Sequence, residues 1–182
     1  AEFASVGSRR LARAHPMAVL VWLRDQIRSG VELRRVRARM LAQMKSLLRK
    51  ADRALRGKTL VTHGGSGTVW SAAAGSRRPL VVLDDTEGFG RRFFRQLMQC
   101  GMPAVLRMRA PRSGVLVLGC DAVLPDGSII NARGTARAIR EAGLPVVVLA
   151  QRCKYIDKAP PLRRGFERVP AELLRDAEFI TG

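Results

Sequence analysis

Gly119-Cys120-Asp121-Ala122-Val123-Leu124-Pro125-Asp126-Gly127-Ser128-Ile129-Ile130-Asn131-Ala132-Arg133-Gly134-Thr135 joins a strand end to a carboxylate, a turn and a glycine-led helix start. The run before it, Val115 to Leu118, is apolar and β-branched enough for a central strand. Pro125-Asp126-Gly127 signals a turn, and Gly134-Thr135 opens a helix. Asp121 is thereby placed at the carboxyl end of its strand, where open α/β sheets bind ligands. A carboxylate there either meets a ligand or accepts hydrogen bonds from buried backbone N–H groups, and its residue type admits both roles.

Outward from this stretch the pattern alternates. Thr59 to His63, Leu80 to Asp84, Ala104 to Met108 and Val146 to Leu149 read as further short strands, and Thr68 to Ala74, Phe89 to Gln99 and Thr135 to Ala142 as helices. Such alternation predicts an α/β fold, a Rossmann-like parallel sheet with helices on both faces. Between the third and fourth strands only Arg109-Ala110-Pro111-Arg112-Ser113-Gly114 is available, too short and too rich in breakers for a helix. After Cys153 the chain reads as loop, interrupted by Pro160-Pro161 and Arg163-Arg164-Gly165, before a short helix over Val169 to Arg175.

The amino-terminal third is helical in pattern. Pro16 to Arg28 is one candidate helix, ended by Ser29-Gly30. In the next, Val31, Val36, Met40, Met44, Leu47, Leu48 and Leu55 fall on one face, while Arg35, Arg39, Arg49, Arg53 and Arg56 fall elsewhere. The expected division is a helical segment over 1–57 followed by the α/β domain over 58–182.

The 182 residues carry 33 Lys and Arg against 15 Asp and Glu, a net charge of +18, and 47% of them are hydrophobic. That suffices for one proper core, and it calls for an anionic partner or a well-solvated arginine surface. With few aromatics and no base-reading motif, any RNA contact is expected to be phosphate-driven and non-specific. Cys100, Cys120 and Cys153 lack metal or disulfide spacing and are expected to be small buried hydrophobes in a reducing compartment. The apolar run Met17 to Leu23 is too short to span a membrane, and no signal-peptide pattern leads the chain, so a cytoplasmic location is expected.

Gly64-Gly65-Ser66-Gly67-Thr68 links the first strand to its helix. Its N–H groups and two hydroxyls suit either a phosphate cradle or an ordinary tight turn. It is neither a Walker A loop nor a complete dinucleotide fingerprint, and no cofactor or metal is expected. His63, alone at a strand end, suits a structural hydrogen bond.

Several of these segments together resemble one family: the aldose–ketose isomerases acting on methylthioribose 1-phosphate and ribose 1,5-bisphosphate, with the alpha, beta and delta subunits of translation initiation factor 2B. The shared features are Thr62-His63-Gly64-Gly65-Ser66, Gly119-Cys120-Asp121, Asp126-Gly127, Asn131-Ala132-Arg133-Gly134-Thr135, Lys154-Tyr155, and Phe166, Val169, Pro170 and Leu173. They run in the family's order from roughly residue 40 to the end. The resemblance implies a ligand crevice taking in Gly64, Gly65, Ser66, Gly67, Thr68, Asn131, Arg133, Gly134, Thr135 and Lys154, an acid at Asp121, and a homodimer. It also exposes departures. Gly64 stands where the isomerases have a cysteine, Ala132 where they have a lysine, and Leu83-Asp84-Asp85-Thr86 where an arginine is expected. The helical region is short for the family. The expected function is a catalytically degenerate binding or regulatory protein for a phosphorylated sugar or nucleotide. The alternatives are a divergent isomerase using Asp121 with His63 or Cys120, and a basic RNA-associated protein.

Overall fold

The computed structural model describes residues 18–76, 79–162 and 164–182. Helix α1 (Ala18–Arg28) turns at Gly30 into the long helix α2 (Leu33–Leu55). Then follow β1 (Leu60–His63), α3 (Gly67–Ser76), β2 (Leu80–Leu83), α4 (Phe89–Gln99), β3 (Ala104–Arg107), β4 (Val115–Gly119), β5 (Ala122–Val123), β6 (Ile129–Ala132), α5 (Thr135–Ala142), β7 (Val146–Ala150), β8 (Phe166–Val169) and β9 (Glu178–Thr181). Pro16, Met17 and Arg163 lie outside the described residues.

Six parallel strands form the main sheet in the order β3-β2-β1-β4-β7-β9, the doubly wound arrangement with its reversal between β1 and β4. Every residue of β1, β2, β4 and β7 is buried, which is why β2, β4 and β7 are continuous apolar runs rather than alternating ones. One face packs Leu60, Val82, Val117 and Leu149 against Leu47, Ala51 and Leu55 of α2, Val69 and Ala73 of α3, and Phe93 and Leu97 of α4. The other face packs Val61, Leu116, Leu118 and Val148 against Ala138 and Ile139 of α5 and against Val123, Ile129 and Val169 of a small second sheet. Fully burying a leucine such as Leu116 stabilises the fold by about 1.5–3 kcal/mol.

The second sheet, β5-β6-β8, is antiparallel, and Leu124 to Ser128 turns its hairpin with Gly127 at φ 83°. Its third strand corrects the expectation for the carboxyl-terminal region. Phe166–Val169 is a strand paired with Ile129–Ala132, and only a single 3-10 turn, Ala171–Leu174, stands where a helix over Val169 to Arg175 was expected. Pro170 lacks an N–H and so stops the ladder at Val169. The sixth strand of the main sheet, β9, likewise falls in the supposed tail.

Among the described residues no helix covers the β2–β3 end of the second face. The chain passes from β3 to β4 by a bare loop, so Val105 is 43% exposed and Met108 76%. Cys120 and Cys153 are buried as expected, but Cys100 is exposed where α4 ends, which corrects the reading of all three as core residues. Among the described residues no helix is long and apolar enough to cross a membrane.

Candidate functional site

β1 delivers His63 to the carboxyl edge of the sheet. Its Nε2 lies 3.2 Å from the carbonyl oxygen of Arg133, so the ring donates from this nitrogen. Gly134 follows, at φ 92°, with His63 so close that a Cβ there would stand 3.1 Å from Nε2. Only glycine suits both constraints.

β2 delivers two carboxylates that serve the backbone. Asp85 accepts the Phe89 and Gly90 N–H groups at 3.0 and 2.6 Å, satisfying the first turn of α4. Asp84, its side chain 4% exposed, accepts the Asp85 N–H at 3.0 Å and pairs with Arg91 at 2.8 Å. At α5 the capping acid comes from far along the chain. Glu167 of β8 accepts the Ala136 N–H at 2.7 Å, so the helix start offered by Asn131 to Thr135 already holds a carboxylate. The Thr135 hydroxyl is committed inward, to the Ala132 carbonyl at 2.7 Å.

The Gly64–Thr68 turn meets the Asn131–Thr135 segment directly: a Cβ on Gly64 would stand 3.6 Å from that of Ala132. Ser66 packs on Gly119, where a Cβ would lie 2.8 Å from its own. At the sheet's reversal point, then, Ser66 sits close on Gly119 and the two segments approach each other. Open space lies beside it, in a cleft of about 970 Å³ at the ends of β1, β2 and β3, below the missing crossover helix. Of the residues expected to bind, Arg133 and Gly134 line it, while Gly64, Gly65, Ser66, Gly67, Thr68, Asn131, Thr135, Lys154 and Asp121 do not. Arg109, Arg137, Glu141 and Glu167 line it as well, and nothing local in the sequence marks them.

The cleft walls hold five carboxylates, at Asp84, Asp85, Glu87, Glu141 and Glu167, and three guanidinium groups, at Arg109, Arg133 and Arg137. Four of those acids are engaged within the protein, Glu141 by Arg137 at 2.6 Å and the other three as above. Among the described residues, Arg109 and Arg133 have no acidic partner. The uncommitted charge is thus mainly positive, although the formal charge is not.

Asp121 sits apart, beside the start of α1, where the Ala18 N–H donates to its carbonyl at 3.2 Å. Burial pushes its carboxyl pKa up, and the nearby ammonium of Lys154 only partly counters this. Lys154 itself donates to the Cys120 carbonyl at 2.6 Å. Cys120 is 3% exposed and its thiol is pushed up to about 12, chiefly by burial, so it is neither ionised nor reachable at neutral pH. Among the described residues no group of three or more His, Cys, Asp or Glu is placed to hold a metal ion.

An acid whose pKa is higher folded than unfolded contributes stability at low pH and loses it as pH rises from about 3.8 upward. Asp121→Asn removes the buried charge while keeping the volume. It is therefore expected to raise the melting temperature near neutrality and to flatten the pH dependence of melting above that point. Melting curves across pH check this, and a loss of stability at neutral pH would instead mark the carboxylate as a structural acceptor.

No known family profile matches the sequence, and no curated protein does. Solved structures match. Translation initiation factor 2B from Pyrococcus horikoshii OT3 superposes with a TM-score of 0.74 at 21% identity, over 99% of this chain and 80% of that one. The chain has the factor 2B fold. A chain of the tetrameric beta2-delta2 complex of factor 2B from C. thermophilum gives 0.67 at 21% identity, over 80% of this chain and 57% of that one. The 5-methylthioribose 1-phosphate isomerase of Pyrococcus horikoshii OT3 gives 0.56 at 15% identity, over 77% and 55%. These neighbours are the proteins whose motifs the sequence resembles. The chain spans little more than half the length of the latter two. What it shares with all three is a fold, and function rests on the site.

Proposed function

We propose that this factor 2B-like chain is a catalytically degenerate binding module, homodimeric, whose cleft takes a phosphorylated sugar or nucleotide. The observation that carries the reading is the pairing of uncommitted cations with committed acids. Arg109 and Arg133 are left to meet a phosphate, while His63 and Glu87 are polar partners for sugar hydroxyls. The carboxylates already bound to helix starts and arginines shape the wall without competing strongly for that phosphate. Proton transfer between adjacent sugar carbons needs an acid and a base facing the same substrate. Glycine and alanine occupy two of the positions that would supply them, and Asp121 lies off the cleft.

Thermal melting with a panel of sugar phosphates, nucleotides and their unphosphorylated counterparts tests the reading. At a hundredfold excess over Kd a true ligand stabilises by about 2.7 kcal/mol, and at about 2–4 °C per kcal/mol for a chain of this size that is a shift of roughly 5–11 °C. The double variant Arg109→Glu/Arg133→Glu is expected to abolish the shift. An equal shift from inorganic sulfate at the same ionic strength, or one that survives in the variant, would overturn it.

A further inference from the structure

The same sheet face that buries α2, α3 and α4 turns their outer sides to solvent as one layer, and its charge is not random. On α2, Lys45, Arg49 and Arg53 recur at four-residue steps, with Arg56 one turn on, and all four are exposed. Residues four apart on a helix lie on one side of it, so these form a row about 17 Å long. Lys45, Arg49 and Arg53 have no acidic partner among the described residues, whereas Arg56 pairs with Asp52. On α4, Arg91, Arg92 and Arg95 are exposed on the outer side, opposite the buried Gly90, Phe93 and Leu97; Arg91 is paired with Asp84, while Arg92 and Arg95 have no acidic partner among the described residues. Between the two helices lies α3, whose sequence GTVWSAAAGS has no charged residue. At the usual helix spacing of 8–10 Å, the two cationic rows stand about 20 Å apart across a neutral strip.

The geometry points to this layer as a docking surface for duplex RNA, held by its phosphates. Charge complementarity names a polyanion. A lipid surface fits poorly, because an interfacial helix must bury its apolar face in the bilayer and the apolar face of α2 is already occupied by Leu60, Val117 and Leu149. A single strand fits poorly as well, since the aromatics of this layer are taken up within the protein, Trp70 edge-on against the buried Phe93 and Phe89 beneath Arg92, and none is exposed for bases to stack on. Packed against α3 and β9, α2 cannot enter a major groove as DNA-reading helices do. Two rows flanking a neutral strip suit duplex RNA, which is recognised by shape, through backbone contacts spread across its grooves. The α4 end of this layer adjoins the cleft wall through Arg91 and Asp84, whereas none of Lys45, Arg49 and Arg53 lines the cleft, so the α2 row can be tested without touching it.

The test compares two triple variants with identical change of net charge: Lys45→Glu/Arg49→Glu/Arg53→Glu on the row, and Arg140→Glu/Arg152→Glu/Arg175→Glu elsewhere, each first checked for an unchanged melting temperature. Fluorescence anisotropy with a random-sequence RNA duplex two helical turns long is expected to show at least roughly tenfold weaker binding for the first triple only. The slope of log affinity against log salt should fall by about three, one per lost phosphate contact. The double variant Arg92→Glu/Arg95→Glu should show the same kind of loss and keeps the proposal testable if the triple fails to fold. Equal losses from both triples would show bulk charge rather than this layer and would overturn the assignment. So would DNA duplex or anionic vesicles binding as tightly as RNA.

Discussion

Methylthioribose 1-phosphate and ribose 1,5-bisphosphate are expected to remain unconverted by this chain, even at high protein concentration over hours. Ordinary enzymes turn over at about 1–1000 per second, and isomerisation at that scale needs two groups exchanging a proton on opposite sides of the sugar. On the resemblance to the isomerases, their cysteine position falls at Gly64 and their lysine position at Ala132. Cys120 supplies no substitute, since its buried thiol stays protonated up to about 12. Nor does one substitution restore the missing group. Gly64 has φ 69°, a conformation L side chains rarely adopt, so Gly64→Cys would carry about 1–2 kcal/mol of strain and is expected to remain inactive. Proton-exchange NMR on both substrates checks this, and turnover within roughly a thousandfold of the ordinary range would sink the degenerate reading.

The central part of this fold was legible because its signals are local. Val115 to Leu118, the turn at Pro125-Asp126-Gly127 and the helix start at Gly134-Thr135 each announce themselves within a few residues, and each occupies its expected place. β8 and β9 were not legible. Phe166-Glu167-Arg168-Val169 and Glu178-Phe179-Ile180-Thr181 are four residues each and half polar, and they become strands only because β6 and β7 present open edges to them. The cleft was hidden for the same reason. A glycine-rich turn and a helix start look like an anion site in sequence, but the Ala136 N–H of that helix start is already bonded to Glu167, 31 residues further on, a long-range partner that no local motif announces. Arg109 became a cleft residue because the β3–β4 connection that carries it is a bare loop and not a helix, and an omitted element leaves no motif.

Gly90→Ala is expected to be the most damaging single-methyl change on this edge of the protein, costing about 3 kcal/mol and lowering the melting temperature by roughly 6–12 °C. The residue sits in the first turn of α4, which is pinned to the end of β2 by the two N–H bonds to Asp85. A Cβ there would overlap the carbonyl oxygen of Leu83 and stand 3.0 Å from its carbon and 3.2 Å from the Asp84 Cα. All three are backbone atoms, so no side chain can swing aside; the helix must move off the strand or the strand end must bend. Gly88→Ala, two residues earlier, is the informative control. Gly88 has φ 73° but nothing within 4 Å of a Cβ, so it should cost only conformational strain, about 1 kcal/mol. Because Leu83 to Glu87 form one wall of the cleft, Gly90→Ala should also weaken ligand binding while Gly88→Ala leaves it nearly intact. Paired melting and binding curves decide the point. Equal costs for the two variants would mean that backbone strain, and not the close approach of α4 to β2, sets the shape of this wall.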